Sequence, residues 1–401
     1  MKTILAFNEL YRDGMGSAAI TLFRALKAQG LEVQPVHAWE DVKFPEYLEE
    51  AKPIFVKNEG YGFDGDKIKN MVETINSLVQ DGDTLINFGN ANWLACIPYF
   101  KPGLRIITAI HSINPSTLKL GRAYAERVSA WVCISKGVMD RFLKKLPRKY
   151  RHKVHLVCNA VDVCEKPKTD YSIDGLLKIL YVGRIEDTSK GCGKIPKILA
   201  ELKRRGIPAR CDFYGYFHNW ETQFWTAVDQ AGVREMAKYC GEVKHEGIYP
   251  MMLGYDAFLS PSNFEGFSLS NSEAMSAGLP LVTSTIQGVT DWICDYGKAG
   301  LTVDKTDIKG FADALEKIYR DEPYRRSIGE AGRKRITELA SFDSHGKGYA
   351  AILREASAKQ DYEIVAPHCP VDNYTQPEFL KPWGPARLLP TKLKIWLRRF
   401  M

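Results

Sequence analysis

No apolar run in this 401-residue sequence approaches the ~18 residues that a membrane-spanning helix needs. The start, MKTILAFNEL, offers only Ile4 to Phe7 before Asn8 and Glu9, short of the ~7–15-residue apolar region of a secretory signal. Cysteine is present nine times, an odd number without any C-x-x-C pair, which argues against a disulfide framework and a thiolate zinc site and for a reducing compartment. Short repeats and low-complexity tracts are also missing. The expectation is a cytoplasmic globular protein, and 401 residues are more than one ordinary core accommodates, so two domains and an appendage are expected.

Charge of one sign is scarce overall, at +7 net, but it is concentrated. Residues 141–153 hold seven Lys or Arg and no acid, residues 381–401 hold six and no acid, and the rest of the chain is therefore acidic. Two basic segments on an acidic body suit an anionic surface as partner, or else two solvated faces.

Apolar strand-like runs alternate with helical periodicity through the whole chain. TILAF at 3–7 is followed by a glycine-containing turn, Asp13 to Ser17, and by a helix carrying Ala19, Leu22, Phe23 and Leu26 up to Gly30. LEVQPVHA, TLINF at 84–88, RIITAI at 105–110, AWVCIS at 130–135 and VHLVC at 154–158 continue the strands, with a basic helix-like segment between the last two. After a polar stretch at 165–172 the pattern restarts with LKILYVGR at 177–184, then strands at 209–215, 257–260, 281–284 and 300–303. This is the signature of an α/β protein with two doubly wound parallel sheets facing across a cleft.

Chemistry gathers at predicted strand ends. Gly14 and Gly16 lie between the first strand and helix, where backbone N–H groups can approach a phosphate, although a tight turn needs the same residues. RIITAI delivers His111, either a packed histidine or a site group. Arg184 and Lys190 follow the first strand of the second half, offering a fixed fork and a point charge to an anion. Glu265 and Glu273 stand eight positions apart, one in a loop and one in the first turn of a helix read over 271–277. An acid near a helix start is favourable by ~0.3–1 kcal/mol, which accounts for Glu273 and poorly for Glu265. The Asp-x-Asp matches, 64–66 and 81–83, read as a helix cap and a turn, so no metal site is expected.

The order of these motifs resembles the retaining, nucleotide-sugar-dependent glycosyltransferases of the GT-B fold, in the E-x7-E branch (family 4, glycosyl transferases group 1). The likeness runs over residues 1–357 through the glycine turn 14–16, AIHS at 109–112, CISKGVMDRF at 133–142, VCNAVD at 157–162, YVGRIEDTSKG at 181–191 and LSPSNFEGFSLSNSEAMSAGLPLVTS at 259–284. Ser268 and Ala160 stand where the family often has glycine. The resemblance implies an acceptor-side Rossmann-like domain over 1–163 and a nucleotide-sugar-binding one over 164–340. It implies a crossover helix over 341–357 as well, leaving a C-terminal tail over 358–401. It places Arg184 and Lys190 on the diphosphate, with the backbone of Gly266, Phe267, Ser268 and Leu269 adding donors. Glu265 then falls on the sugar hydroxyls, Glu273 on the ribose, His111 near the transferred sugar, and Gly14 and Gly16 beside the donor. The implied partners are a nucleotide-sugar donor and a glycan or lipid-linked acceptor, as in bacterial envelope polysaccharide or lipopolysaccharide synthesis. No cofactor, metal or nucleic acid is implied. A non-catalytic sugar-nucleotide-binding protein, and an epimerase or phosphorylase of related architecture, are the other readings.

In the tail, TKLKIWLRRFM places Leu393, Trp396, Leu397 and Phe400 at helical spacing among basic residues. That pattern suits a peripheral anchor on the inner face of the cytoplasmic membrane, assisted by 141–153, or a tail packed on protein.

Overall fold

The computed structural model describes residues 1–358 apart from 9, 11–13, 40, 41, 43, 44, 58–64 and 90, and gives no side-chain description for 245, 357 and 358. The basic segment 381–401 and the anchor expected there lie outside the described residues.

Two parallel sheets form. The first contains β1 (Lys2–Phe7), β2 (Glu32–His37), β3 (Ile54–Phe55), β4 (Thr84–Asn87), β5 (Arg105–Ile110), β6 (Ala130–Cys133) and β7 (Val154–Leu156), in the order β3-β2-β1-β4-β5-β6-β7. The second contains β8 (Leu177–Val182), β9 (Ala209–Tyr214), β10 (Ala237–Gly241), β11 (Ala257–Ser260), β12 (Leu281–Ser284) and β13 (Leu301–Val303), in the order β10-β9-β8-β11-β12-β13. Central strands are apolar on both faces because helices cover both, as with Ile4, Leu5 and Ala6 of β1, all fully buried.

Each sheet has one place where strand order reverses, between β1 and β4 and between β8 and β11. Loops leaving the carboxyl ends of such a pair diverge to opposite faces and open a crevice. The helix starting at Gly14 comes next after β1 in the chain, the Arg184–Lys190 loop follows β8, and the loop reaching Glu265 follows β11. Topology thus sends the candidate residues to the two crevices.

The helix Phe342–Ala358 follows the second sheet yet packs on the first half, burying Tyr349 and Leu353 with Leu22, Phe23 and Leu26 of the helix Gly14–Ala28. The outgoing and returning crossings of the chain lie side by side, Val161 N–H donating to the Ala340 carbonyl at 3.0 Å.

Several boundaries differ from the sequence reading. The Gly14 to Ser17 stretch is the first turn of the helix, which begins at Gly14, so these glycines are helical. β6 stops at Cys133 because the Ser135 hydroxyl accepts from Val138 N–H at 3.3 Å and caps the helix Lys136–Lys145. The helix placed over 271–277 is Leu269–Ser276, which moves Glu273 from the first turn into the second. β3 and β10 were not foreseen, one being two residues long and the other, AKYCG, a half-exposed edge strand without an apolar run.

Candidate active site

The loop after β8 is built around a buried carboxylate. Glu186 accepts from Ser189 N–H at 3.0 Å, Lys190 N–H at 3.0 Å and the Ser189 hydroxyl. Burial alone would raise its pKa, but these bonds outweigh burial and lower it. Glu186 therefore stays ionised and folds the chain so that Lys190 leaves the loop in one direction.

This loop is stitched to the one after β11. Asn263 and Phe264 N–H donate to the Ser189 carbonyl at 2.7 and 3.1 Å, and the Asn263 amide donates to the Asp187 carbonyl at 2.8 Å. Lys194 Nζ donates to the Pro261 carbonyl and Asn263 Oδ1, both at 2.6 Å. Gly191, at φ +64°, passes so close to Pro261 that a Cβ would lie 2.3 Å from its carbonyl oxygen.

The outcome of the stitching is an ion pair. Lys190 Nζ lies 2.8 Å from Glu265 Oε1, which also accepts from the Ser262 hydroxyl at 2.8 Å. The Glu265 side chain is 8% exposed and that of Lys190 22%, so the pair is half withdrawn from water but open on the lysine side. Arg184 gives its carbonyl to the Tyr181 hydroxyl at 2.6 Å, while its guanidinium makes no hydrogen bond or ion pair among the described residues. Glu273 lies farther along the helix, close enough to Tyr249 for its charge to help raise that phenol's pKa, after burial as the main cause.

The first half closes on this loop. Gly266 rests on the backbone of His111, where a Cβ would be 2.1 Å from the carbonyl oxygen. Leu269 meets Gly14, whose Cβ position is 3.8 Å from Leu269 Cδ1. The N-terminal ends of the helices Gly14–Ala28 and Leu269–Ser276 thus approach each other, and both favour negative charge. Phe267 is buried at 2% exposure, anchoring the loop rather than facing the cleft.

The His111 ring packs on Phe88 with centroids 4.3 Å apart and on Gly89, at φ +77°. Both ring nitrogens are covered and have no hydrogen-bond partner among the described residues. Burial, with His345 adding repulsion, pushes its pKa down to about 3, so the imidazole is neutral near pH 7.

The structure brings Lys190, Glu265 and Gly266 to Leu269 together in the second half, with Arg184 on the same loop as Lys190, and sets His111 and Gly14 against them. Gly16 is buried within its helix two residues from that contact. Sequence reading missed Glu186, Asn263 and Lys194, whose only signal was clustering of polar residues in two loops now seen to be paired. It also missed a second contact between the halves. There Gly137 N–H donates to the Gly288 carbonyl at 2.6 Å and Arg141 donates to the Gln287 carbonyl at 2.9 Å. Arg141, counted in the basic segment 141–153, thereby has a partner within the protein. Among the described residues there is no group of three His, Cys, Asp or Glu placed to hold a metal ion. Asp83 instead accepts from Lys2 and Gln80 N–H at 2.7 and 2.9 Å, at the opposite end of its sheet.

Residues 166–335 match the profile of the family described as glycosyl transferases group 1. Among curated proteins, the Mycobacterium tuberculosis glycogen synthase is 26% identical over 237 residues, which cover 56% of this chain and 54% of that protein. The Staphylococcus aureus capsular polysaccharide biosynthesis glycosyltransferase CapM is 32% identical over 108 residues, 26% of this chain and 28% of CapM. The match spans about half the length of the glycogen synthase and less of CapM. Among solved structures, Anabaena HepE in complex with UDP and glucose superimposes with a TM-score of 0.74 at 15% identity, covering 88% of this chain and all of HepE. At that identity the likeness is one of fold. The chain therefore has the two-domain GT-B fold, and its residues 166–335 are similar to the glycosyl transferases group 1 family.

Proposed function

We propose that this chain transfers a sugar from a nucleoside-diphosphate sugar to a glycan or lipid-linked acceptor, with retention of anomeric configuration and without a metal. The observation that carries the reading is the Lys190–Glu265 pair at the meeting of two helix N-termini, with Arg184 on the same loop as Lys190 and its guanidinium unpartnered among the described residues. Breaking the anomeric bond leaves charge on the diphosphate. Arg184, Lys190 and the N–H groups of 266–269 supply fixed positive charge to stabilise it. Glu265 is then the acceptor for sugar hydroxyls and Glu273 for the ribose. His111, held neutral, can bond a hydroxyl without adding charge. In the retaining route the departing phosphate oxygen takes the proton of the attacking acceptor hydroxyl on the same face, and the protein's share is orientation and preorganised charge. CapM's name, with its capsular polysaccharide, supports an envelope glycan as product class.

The test is incubation of the purified chain with UDP-, GDP- and ADP-sugars and envelope glycan or lipid-linked acceptors. Expected are nucleoside diphosphate release that depends on acceptor, an α-linked product from an α-linked donor by NMR, and turnover unchanged by EDTA. Binding without turnover would favour a sugar-nucleotide-binding protein, and loss of turnover in EDTA would contradict metal independence.

An anionic membrane surface is the partner proposed for the basic segment. Lys144, Lys145, Arg148, Lys149 and Arg151 are exposed and have no ion pair among the described residues. No helix among the described residues is long and apolar enough to cross a membrane. Full-length protein should float with phosphatidylglycerol vesicles, and reversing the charge of Lys144, Lys145, Arg148 and Lys149 should reduce it. Equal flotation would contradict the assignment.

A further inference from the structure

Ser268 combines two costs that glycine would avoid. Its backbone sits at φ +71°, ψ +88°, the left-handed region that side chains disfavour and that glycine enters freely. Its side chain is buried, at 7% exposure for the residue, and the hydroxyl oxygen is covered and has no hydrogen-bond partner among the described residues. Residues held in this way cluster at binding sites, and a buried hydroxyl without a partner calls for one.

The backbone of Ser268 is accounted for. Its carbonyl accepts from Ser272 N–H at 3.2 Å and from the Ser272 hydroxyl at 3.0 Å, which fixes the start of the helix Leu269–Ser276. The hydroxyl has no part in that. On either side, Gly266 rests on His111 and Leu269 on Gly14, so Ser268 lies between two contacts of the seam joining the halves. Across the seam, both nitrogens of His111 are also covered and have no partner among the described residues. Ser268 is three residues along the chain from Glu265 of the Lys190–Glu265 pair.

We propose that the Ser268 hydroxyl hydrogen-bonds a hydroxyl of the transferred sugar and thereby sets which sugar is accepted. This rests on the transferase reading above. Backbone N–H groups of the loop can hold any acceptor oxygen within reach. A hydroxyl that both donates and accepts at one fixed point favours the sugar that presents a hydroxyl there over its epimer.

Calorimetric titration of the wild type, Ser268→Gly and Ser268→Ala with UDP-glucose, GDP-mannose and ADP-glucose, and with UDP, GDP and ADP, tests it. Glycine removes hydroxyl and strain together, while alanine removes the hydroxyl alone. Both variants should bind the preferred sugar nucleotide about 10-fold more weakly and keep wild-type affinity for the matching diphosphate. Ser268→Gly should also melt at a higher temperature than Ser268→Ala. Unchanged sugar-nucleotide affinity in both variants would overturn the inference and leave the transferase reading standing. Loss in Ser268→Ala alone would assign the effect to backbone strain, and equal loss for the free diphosphate would assign the hydroxyl to phosphate; either overturns it. A wild type that binds none of the six nucleotides would overturn the transferase reading, and this inference with it.

Discussion

Lys190 Nζ and Glu265 Oε1 are 2.8 Å apart although 75 positions separate them in sequence, and the two loops that bring them together are bonded to each other on three sides. The contact holds a cation for a leaving phosphate and an acceptor for a sugar in one small volume before any ligand arrives.

Replacing Lys190 or Glu265 with alanine should cut transfer by ~100-fold or more, because each removes a preorganised charge at the reacting centre. Folding should survive, since Lys190 is partly exposed. Steady-state kinetics and melting curves of both variants check this; wild-type turnover in either would remove that residue from the site.

Gly266→Ala places a methyl 2.1 Å from the His111 carbonyl oxygen. The halves then cannot close as described, and kcat/KM should fall ~100-fold from misplacement of reacting groups. Small-angle scattering should show a more open particle with a melting temperature near that of wild type. A compact, active variant would mean that this contact does not matter.

Glu186→Ala leaves the N–H groups of Ser189 and Lys190 without their carboxylate. Stability should drop by ~1–3 kcal/mol in urea titrations, and donor affinity should drop as well because Lys190 loses its direction. Loss of stability with donor affinity intact would show that the loop holds Lys190 by other means.

Protonation should destabilise the fold in mild acid. Burial lowers the pKa of His37 to about 4 and that of His345 to about 4, against an unfolded value of 6.5. The unfolded chain takes up these protons first as pH falls, so their contribution is complete above about pH 6.5 and lost down to about pH 4. At pH 5 each histidine costs ~2 kcal/mol. Melting temperature should decline from pH 7 to pH 5, and His345→Asn should flatten part of the decline; a flat wild-type profile would contradict the buried neutral state.

The alternation of strand and helix was legible because parallel strands buried on both faces read as short apolar runs, as TILAF and RIITAI do. Strand ends then follow from topology, which is why Arg184, Glu265 and His111 could be placed at the crevices from sequence. Edge strand β10 was not legible, since half-exposed AKYCG has no apolar run to find. Nor could sequence show that Glu186 and Asn263 share the work of aiming Lys190, because Glu186 acts through backbone N–H groups of its own loop and Asn263 bonds to backbone atoms of a loop far along the chain. The contact of Gly266 with His111 depends on how the two halves meet, which local pattern does not encode.

A crystal structure with the nucleotide sugar that the protein turns over tests the central claim most directly. Diphosphate oxygens should lie ~2.7–2.9 Å from the Arg184 guanidinium and from Lys190 Nζ, the sugar hydroxyls against Glu265 and the ribose against Glu273. A donor bound away from the Lys190–Glu265 pair, or a diphosphate that leaves Arg184 unpartnered, would contradict the account.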